Sequence, residues 1–257
     1  ARVLLVVIGF AGATIAAMEI QGILGSVIWA FGSCLTISDN GTDYRSMFSD
    51  WWRSEWSAVK LPNNLLVFDY WLDTETMQFI KWEESPQFFQ VDFDSRKSEV
   101  QSVTIPTPDS CSVAFWMTSL VEMQRPVMLA GPAGTGKTQM VNGMLTQLSE
   151  DATIYQTINL NFYTTSQVLQ KTMCSQLEKK TGTTFGPPGS RQLVYFIDDL
   201  NLPEVDKYNT QSAVALLRQQ LEYEHVYDLA KLSTNPIKFI KGTQVVSCLN
   251  PTAGSFE

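Results

Sequence analysis

The sequence predicts an α/β fold: a parallel sheet with helices on both faces over residues 101–257, preceded by a mainly helical segment that carries a β-hairpin. Three observations predict it. Apolar and amphipathic runs alternate through the C-terminal half, and such alternation builds parallel sheets. The strand runs RPVMLA, LVYFI and QVVSCL are continuous, as strands covered on both faces require. Between the first run and the helix after it lies GPAGTGKT, residues 131–138, a glycine-rich loop in strand–loop–helix context.

The elements follow in order. ARVLLVVIGFAGATIAA opens the chain with an apolar run and small residues, the outline of a signal peptide. It is short for a membrane span, which needs roughly 20 apolar residues, and Glu19 and Gln21 interrupt it. A buried helix is the expectation for this stretch, with a membrane segment as the other reading. Residues 19–60 predict half-buried helices. Trp29, Phe31, Phe48, Trp51, Trp52 and Trp56 form the apolar face; Asp50, Arg53, Glu55 and Lys60 form the wet one. SDNGTD, residues 38–43, reads as a loop. LVFDYWLD and MQFIKW, joined by TET, predict a hairpin within residues 65–82.

A polar connector follows, ending in VDFDSRKSEVQSVTIPTPDS, and a boundary is expected near residue 100. Beyond it come the strand RPVMLA, a helix from Thr138 to Leu148, the strand IYQTINLNF and a helix from Ser166 to Lys180. A loop GTTFGPPGSRQ, the strand LVYFI, a helix from Ala213 to Tyr223 and the strand QVVSCL complete the pattern. Three regions result: a divergent apolar stretch 1–18, a helical segment with hairpin 19–100, and an α/β core 101–257.

Composition narrows the function. Apolar residues make up 44% and charged residues 17% of the chain, enough for a packed core. The net charge is −8 and no basic run exceeds two residues, which argues against nucleic acid as a partner. Cys34, Cys111, Cys174 and Cys248 stand far apart, so neither a zinc site nor a disulfide framework is expected. The one histidine, His225, sits in LEYEHVYD, which reads as a polar helix end rather than a catalytic setting.

GPAGTGKT fits the pattern GxxxxGK[ST]. Gly131, Pro132, Ala133, Gly134, Thr135 and Gly136 let main-chain N–H groups point inward and cradle phosphates at a helix N-terminus. Lys137 adds positive charge, and the Thr138 hydroxyl suits Mg²⁺. VYFIDDLN supplies the acidic half of such a site. Asp198, at the end of its strand, is the expected metal residue; a turn or N-cap carboxylate is the plainer reading. Asp199 stands where a general base would act on the attacking water, yet it is one methylene shorter than Glu, drawing its carboxylate back by about 1.5 Å. Slow or absent hydrolysis is therefore expected. Asn250, ending QVVSCLN, either reaches the terminal phosphate and its water or opens an Asn-Pro turn.

GPAGTGKT, YFIDDLN and CLNPTAGSF together resemble the AAA+ ATPases, and longer stretches resemble the dynein heavy chains. NFYTTSQVLQ, TGTTFGPPGSRQLVYFIDDLNLPEVDKY and VVSCLNPTAGSFE look like the third AAA+ module of an axonemal, outer-arm-type motor ring. VIWAFGSCL, DYRSMFSDWW and VFDYWLDTETMQFIKW resemble the lid and linker segment of the module before it. The resemblance implies a P-loop NTPase core truncated before its fifth strand and lid, with an exposed sheet edge and poor solubility. It implies ATP or ADP with Mg²⁺ at Gly131–Thr138, Asp198 on the metal, and Asp199 and Asn250 as the catalytic pair. It also implies a regulatory site in a microtubule motor of the cytoplasm, cytoskeleton and ciliary or flagellar axoneme. The implied partners are neighbouring AAA+ modules, intermediate and light chains, and microtubules through other parts of the chain, with no membrane. A nucleotide-bracing module without hydrolysis is the alternative; a stand-alone P-loop kinase is a third, lacking an evident acceptor lid.

Overall fold

In a computed structural model of the chain, the described residues are 4–7, 20–57, 59–62, 65–88, 105–234 and 236–252. The chain divides into two compact units, Arg2–Ser119 and Leu120–Glu257. The boundary expected near residue 100 lies outside the described residues.

The first unit contains β1 (Leu4–Val7), α1 (Ile20–Gly32), α2 (Tyr44–Glu55), β2 (Tyr70–Asp73), β3 (Gln78–Lys81) and most of α3 (Pro108–Glu122). The strand at Leu4–Val7 corrects the helix expected there. Its β-branched valines favour extended backbone over a helical turn. Residues 8–19 lie outside the described residues. Asp43 starts α2 by accepting from the N–H groups of Arg45 and Ser46 at 3.0 and 3.2 Å. β2 and β3 pair antiparallel in the expected hairpin. Asp73 closes its turn, accepting from the Glu75 N–H and the Thr76 hydroxyl. Val67–Asp69, read as the start of the first strand, is a 3-10 turn.

The core of this unit gathers Ile28, Trp29, Trp52, Phe68, Tyr70 and Trp82. Trp82 Nε1 donates to the Phe68 carbonyl at 3.0 Å, so its one polar group is satisfied. Trp29 and Trp52 are buried as expected, but Phe31, Trp51 and Trp56 are 71%, 51% and 43% exposed. The apolar face of α2 is wider than the core it meets. Trp51 and Trp56 instead lie against Trp52 at its rim, with ring centroids 6.3 and 5.5 Å away. α3 begins inside the stretch read as a polar connector. Pro108 occupies its first position, and Thr107 and Ser110 cap it reciprocally, each hydroxyl accepting from the other's N–H.

The second unit contains β4 (Val127–Ala130), α4 (Lys137–Leu145), β5 (Thr153–Asn159), α5 (Ser166–Cys174), β6 (Glu178–Lys179), β7 (Thr184–Gly186), β8 (Gln192–Asp198), α6 (Ser212–Tyr223), β9 (His225–Tyr227), β10 (Ile237–Ile240) and β11 (Thr243–Leu249). Its main sheet runs in the order β4-β11-β8-β5 with every one of these pairings parallel. Leu193–Ile197 are fully buried along β8, the burial its continuous apolar sequence predicts. One layer of the core joins Leu193, Tyr195 and Ile197 to Leu169 and Met173 of α5 and to Leu217 of α6. The Tyr195 hydroxyl is satisfied by the Met173 carbonyl at 2.8 Å.

Three expectations are corrected here. The helix from Ser166 to Lys180 ends at Cys174, because Glu178–Lys179 pair antiparallel with β7. The loop GTTFGPPGSRQ contains β7, which pairs in parallel with β10. His225 belongs to a strand, not a helix end. Together these strands form a four-stranded sheet, β6-β7-β10-β9. No helix among the described residues is long and apolar enough to cross a membrane.

In the main sheet β4 lies beside β11, and β11 beside β8. The loops leaving their carboxyl ends are therefore neighbours, which is where open parallel sheets place ligands.

Candidate functional site

Residues 131–136 form the loop between β4 and α4. The Gly131 N–H donates to the Leu249 carbonyl at 3.2 Å, which ties the start of the loop to β11. Gly134 and Gly136 turn it with φ of 77° and 82°. A Cβ at either would meet open space, so glycine is needed there for backbone conformation rather than for room. Gly136 is the N-cap of α4 and brings no side chain to its first amides. Those N–H groups, with the positive end of the helix dipole, suit an anion.

Lys137 is buried, and its Nζ donates to the carbonyls of Gly131 and Pro132 at 2.8 and 2.9 Å. The ammonium is thereby held across the loop that precedes it. The next residue points to β8, two strands from β4: Thr138 Oγ1 donates to Asp198 Oδ2 at 2.8 Å. The sequence places these residues far apart and the fold joins them. A hydroxyl and a carboxylate oxygen at this spacing are the hard oxygen donors that Mg²⁺ prefers, so the residues fit that ion.

Asp198 ends β8, and its Oδ1 accepts from the Asp199 N–H at 3.1 Å. Asp199 has left-handed backbone, φ 55°, and its carbonyl accepts from the Leu202 N–H at 3.0 Å. Partial desolvation, then the Asp198 carboxylate, push its pKa up, while Lys137 draws it down. The residue still reaches solvent, which screens these effects. Asn250 follows β11. Its Oδ1 accepts from the Thr252 N–H and hydroxyl at 3.1 and 2.9 Å, forming the Asx turn. With Oδ1 committed to the turn, Nδ2 is the amide group that can donate to another partner.

Two residues that sequence reasoning passed over hold these loops together. Asn201, buried, donates from Nδ2 to the Asn250 carbonyl at 2.7 Å. Gln211, also buried, donates from Nε2 to the carbonyls of Asn201 and Pro203 at 3.1 and 2.5 Å. The signal was the polar Asn within LNLP, directly after the acidic pair. Cys248 lies near the carboxylates, but burial first, then Asp198, pushes its thiol up to about 12, so it is no nucleophile. His225 packs edge-on to Tyr227 in the small sheet, with ring centroids 5.3 Å apart.

Residues 93–257 match the family described as P-loop containing dynein motor region, and residues 16–84 match the dynein heavy chain AAA lid domain. The chain is 45% identical over 229 residues to the ciliary dynein beta chain of Heliocidaris crassispina, covering 89% of this chain and 5% of that protein. It is 44% identical over 232 residues to dynein axonemal heavy chain 9 of Homo sapiens, covering 90% and 5%. To the flagellar outer arm dynein beta chain of Chlamydomonas reinhardtii it is 40% identical over 230 residues, covering 90% and 5%. The chain thus spans about one-twentieth of the length of these relatives.

Proposed function

Because the chain belongs to the family of P-loop dynein motor regions, we propose that it is a nucleotide-binding AAA+ module of an axonemal, outer-arm-like dynein heavy chain, joined to the lid segment of the module before it. The ligand is ATP or ADP with Mg²⁺. The relatives' ciliary and flagellar names support an axonemal setting. There the module acts as a regulatory site in a ring of AAA+ modules that drives movement on microtubules. Intermediate and light chains are partners of the whole heavy chain.

The observation that carries this proposal is the Thr138–Asp198 hydrogen bond of 2.8 Å, which closes the P-loop onto the acidic strand. The amides of Gly134–Thr138 take the phosphates, and Lys137 leaves its loop carbonyls for their terminal oxygens. Thr138 and Asp198 would hold Mg²⁺, which would supply charge neutralisation to the phosphate oxygens. Asp199 holds or deprotonates the attacking water, and Asn250 Nδ2 orients it. The short reach of Asp199 makes hydrolysis slow.

A single turnover of labelled Mg-ATP on the chain tests this, with Lys137→Ala as the blank. Binding in the wild type with loss in the blank is expected, with phosphate appearing over minutes. Equal signals from both proteins would overturn the proposed site. Bound ATP that stays intact would leave a bracing module in place of a hydrolysing one.

A further inference from the structure

We propose that Asn201 is a positioning residue for Asn250: it sets how that residue meets the third phosphate of a nucleoside triphosphate, with Gln211 bracing it. This rests on the nucleotide site proposed above.

The register between β8 and β11 stops at Ser247↔Ile197, and the two chains then diverge toward the acidic loop and the Asn250 turn. One main-chain bond continues past the register, from the Leu200 N–H to the Cys248 carbonyl at 2.9 Å. The next rung is made by a side chain. Asn201 Nδ2 donates to the Asn250 carbonyl at 2.7 Å, so an Asn amide substitutes for a missing peptide N–H. Asn201 is only 4% exposed, which favours retention of that bond, because a buried carbonyl without a donor is costly.

Asn250 is consequently held at two points. Its main-chain carbonyl is fixed by Asn201, and its Oδ1 is fixed by the Thr252 turn. With both constrained, Nδ2 is presented in one orientation. Asn201 cannot shift freely either, since Gln211, 8% exposed, grips its carbonyl and that of Pro203. Asp199 and Asn250 are the residues proposed above to meet the attacking water, and Asn201 is two residues from the first and bonded to the second. One buried amide therefore links the loop that carries the candidate base to the loop that carries the candidate sensor.

A purely structural Asn would affect all ligands alike. A positioning Asn affects those with a third phosphate. The test is calorimetric titration of the chain with Mg-ADP and with a non-hydrolysable Mg-ATP analogue, using Asn201→Ala, Asn250→Ala and the double variant. Asn201→Ala is expected to weaken the analogue about tenfold and ADP less than about twofold, the loss of one buried hydrogen bond. The double variant should lose no more than Asn250→Ala alone, the signature of coupled residues. Equal losses for both nucleotides, or losses that multiply in the double variant, would overturn the proposal. Should Asn201→Ala fail to fold by circular dichroism, Gln211→Met decides. A selective loss of the analogue supports the coupling, and an unchanged analogue-to-ADP ratio refutes it. A wild type that binds neither nucleotide overturns the nucleotide site itself, and this inference with it.

Discussion

The Asp199 N–H donates to Oδ1 of Asp198 at 3.1 Å, from a left-handed backbone with φ 55°. Asp and Asn enter that region more readily than longer side chains do. The backbone thus gives a reason for a short carboxylate where reach would favour Glu. Asp199→Glu should extend the carboxylate by about 1.5 Å and destabilise the fold by about 1 kcal/mol. The expected outcome is faster phosphate release in a single turnover together with a lower melting temperature.

The pH dependence of stability reports the same residue. The folded-state pKa of Asp199 is raised, so the folded chain takes up this proton before the unfolded chain does. The ionised group opposes folding above the raised value, and that opposition fades as pH falls through it. Asp199→Asn, which tolerates the same backbone, should melt higher than wild type at about pH 8 and match it by about pH 4. Paired melting curves across that range check it. A constant gap would mean the carboxylate does not feel its surroundings.

Thr138→Val removes the hydroxyl that meets Asp198 and keeps the branched shape. If the pair holds Mg²⁺, the variant should lose the metal-dependent part of nucleotide affinity, about tenfold. Its affinity in chelator should stay near that of the wild type. Titrations of ADP with and without Mg²⁺ separate the two contributions.

Two glycines near α4 should respond in opposite directions. Gly136 has φ of 82° and open space at its Cβ position, so Gly136→Ala should destabilise by about 1–2 kcal/mol through backbone strain alone. Gly143 lies within α4 and also faces open space. Gly143→Ala should stabilise by up to about 1 kcal/mol. Denaturant unfolding of both variants measures the contrast.

The sequence revealed the elements whose signals are local. GPAGTGKT marks its own loop, and the apolar runs of β4, β8 and β11 announce strands buried on both faces. α3 was missed, although Thr107–Pro108–Asp109–Ser110 carries a reciprocal cap and a first-position proline, because the polar run before it hid the start. The small sheet was not legible. Strands as short as Glu178–Lys179 and Thr184–Gly186 show no periodicity, and their pairing with Ile237–Ile240 depends on distant chain. The same holds at the site. Lys137, Thr138 and Asp198 follow from motif chemistry, whereas the Asn201 and Gln211 contacts depend on how two loops leave the sheet.

The small sheet couples two distant crossings of the chain. β7 lies in the crossing from α5 to β8, and β10 in the crossing from α6 to β11. Each excursion is too short to persist alone, and they stabilise one another through Phe239↔Thr184 and Ile240↔Phe185. The returns also touch: a Cβ on Gly242 would lie 3.4 Å from Pro187 Cδ. Amide protons in both crossings should therefore exchange with solvent as one cooperative unit. β10 also runs directly into β11, the strand between β4 and β8, so opening of that unit should loosen the main sheet at β11 before its other strands.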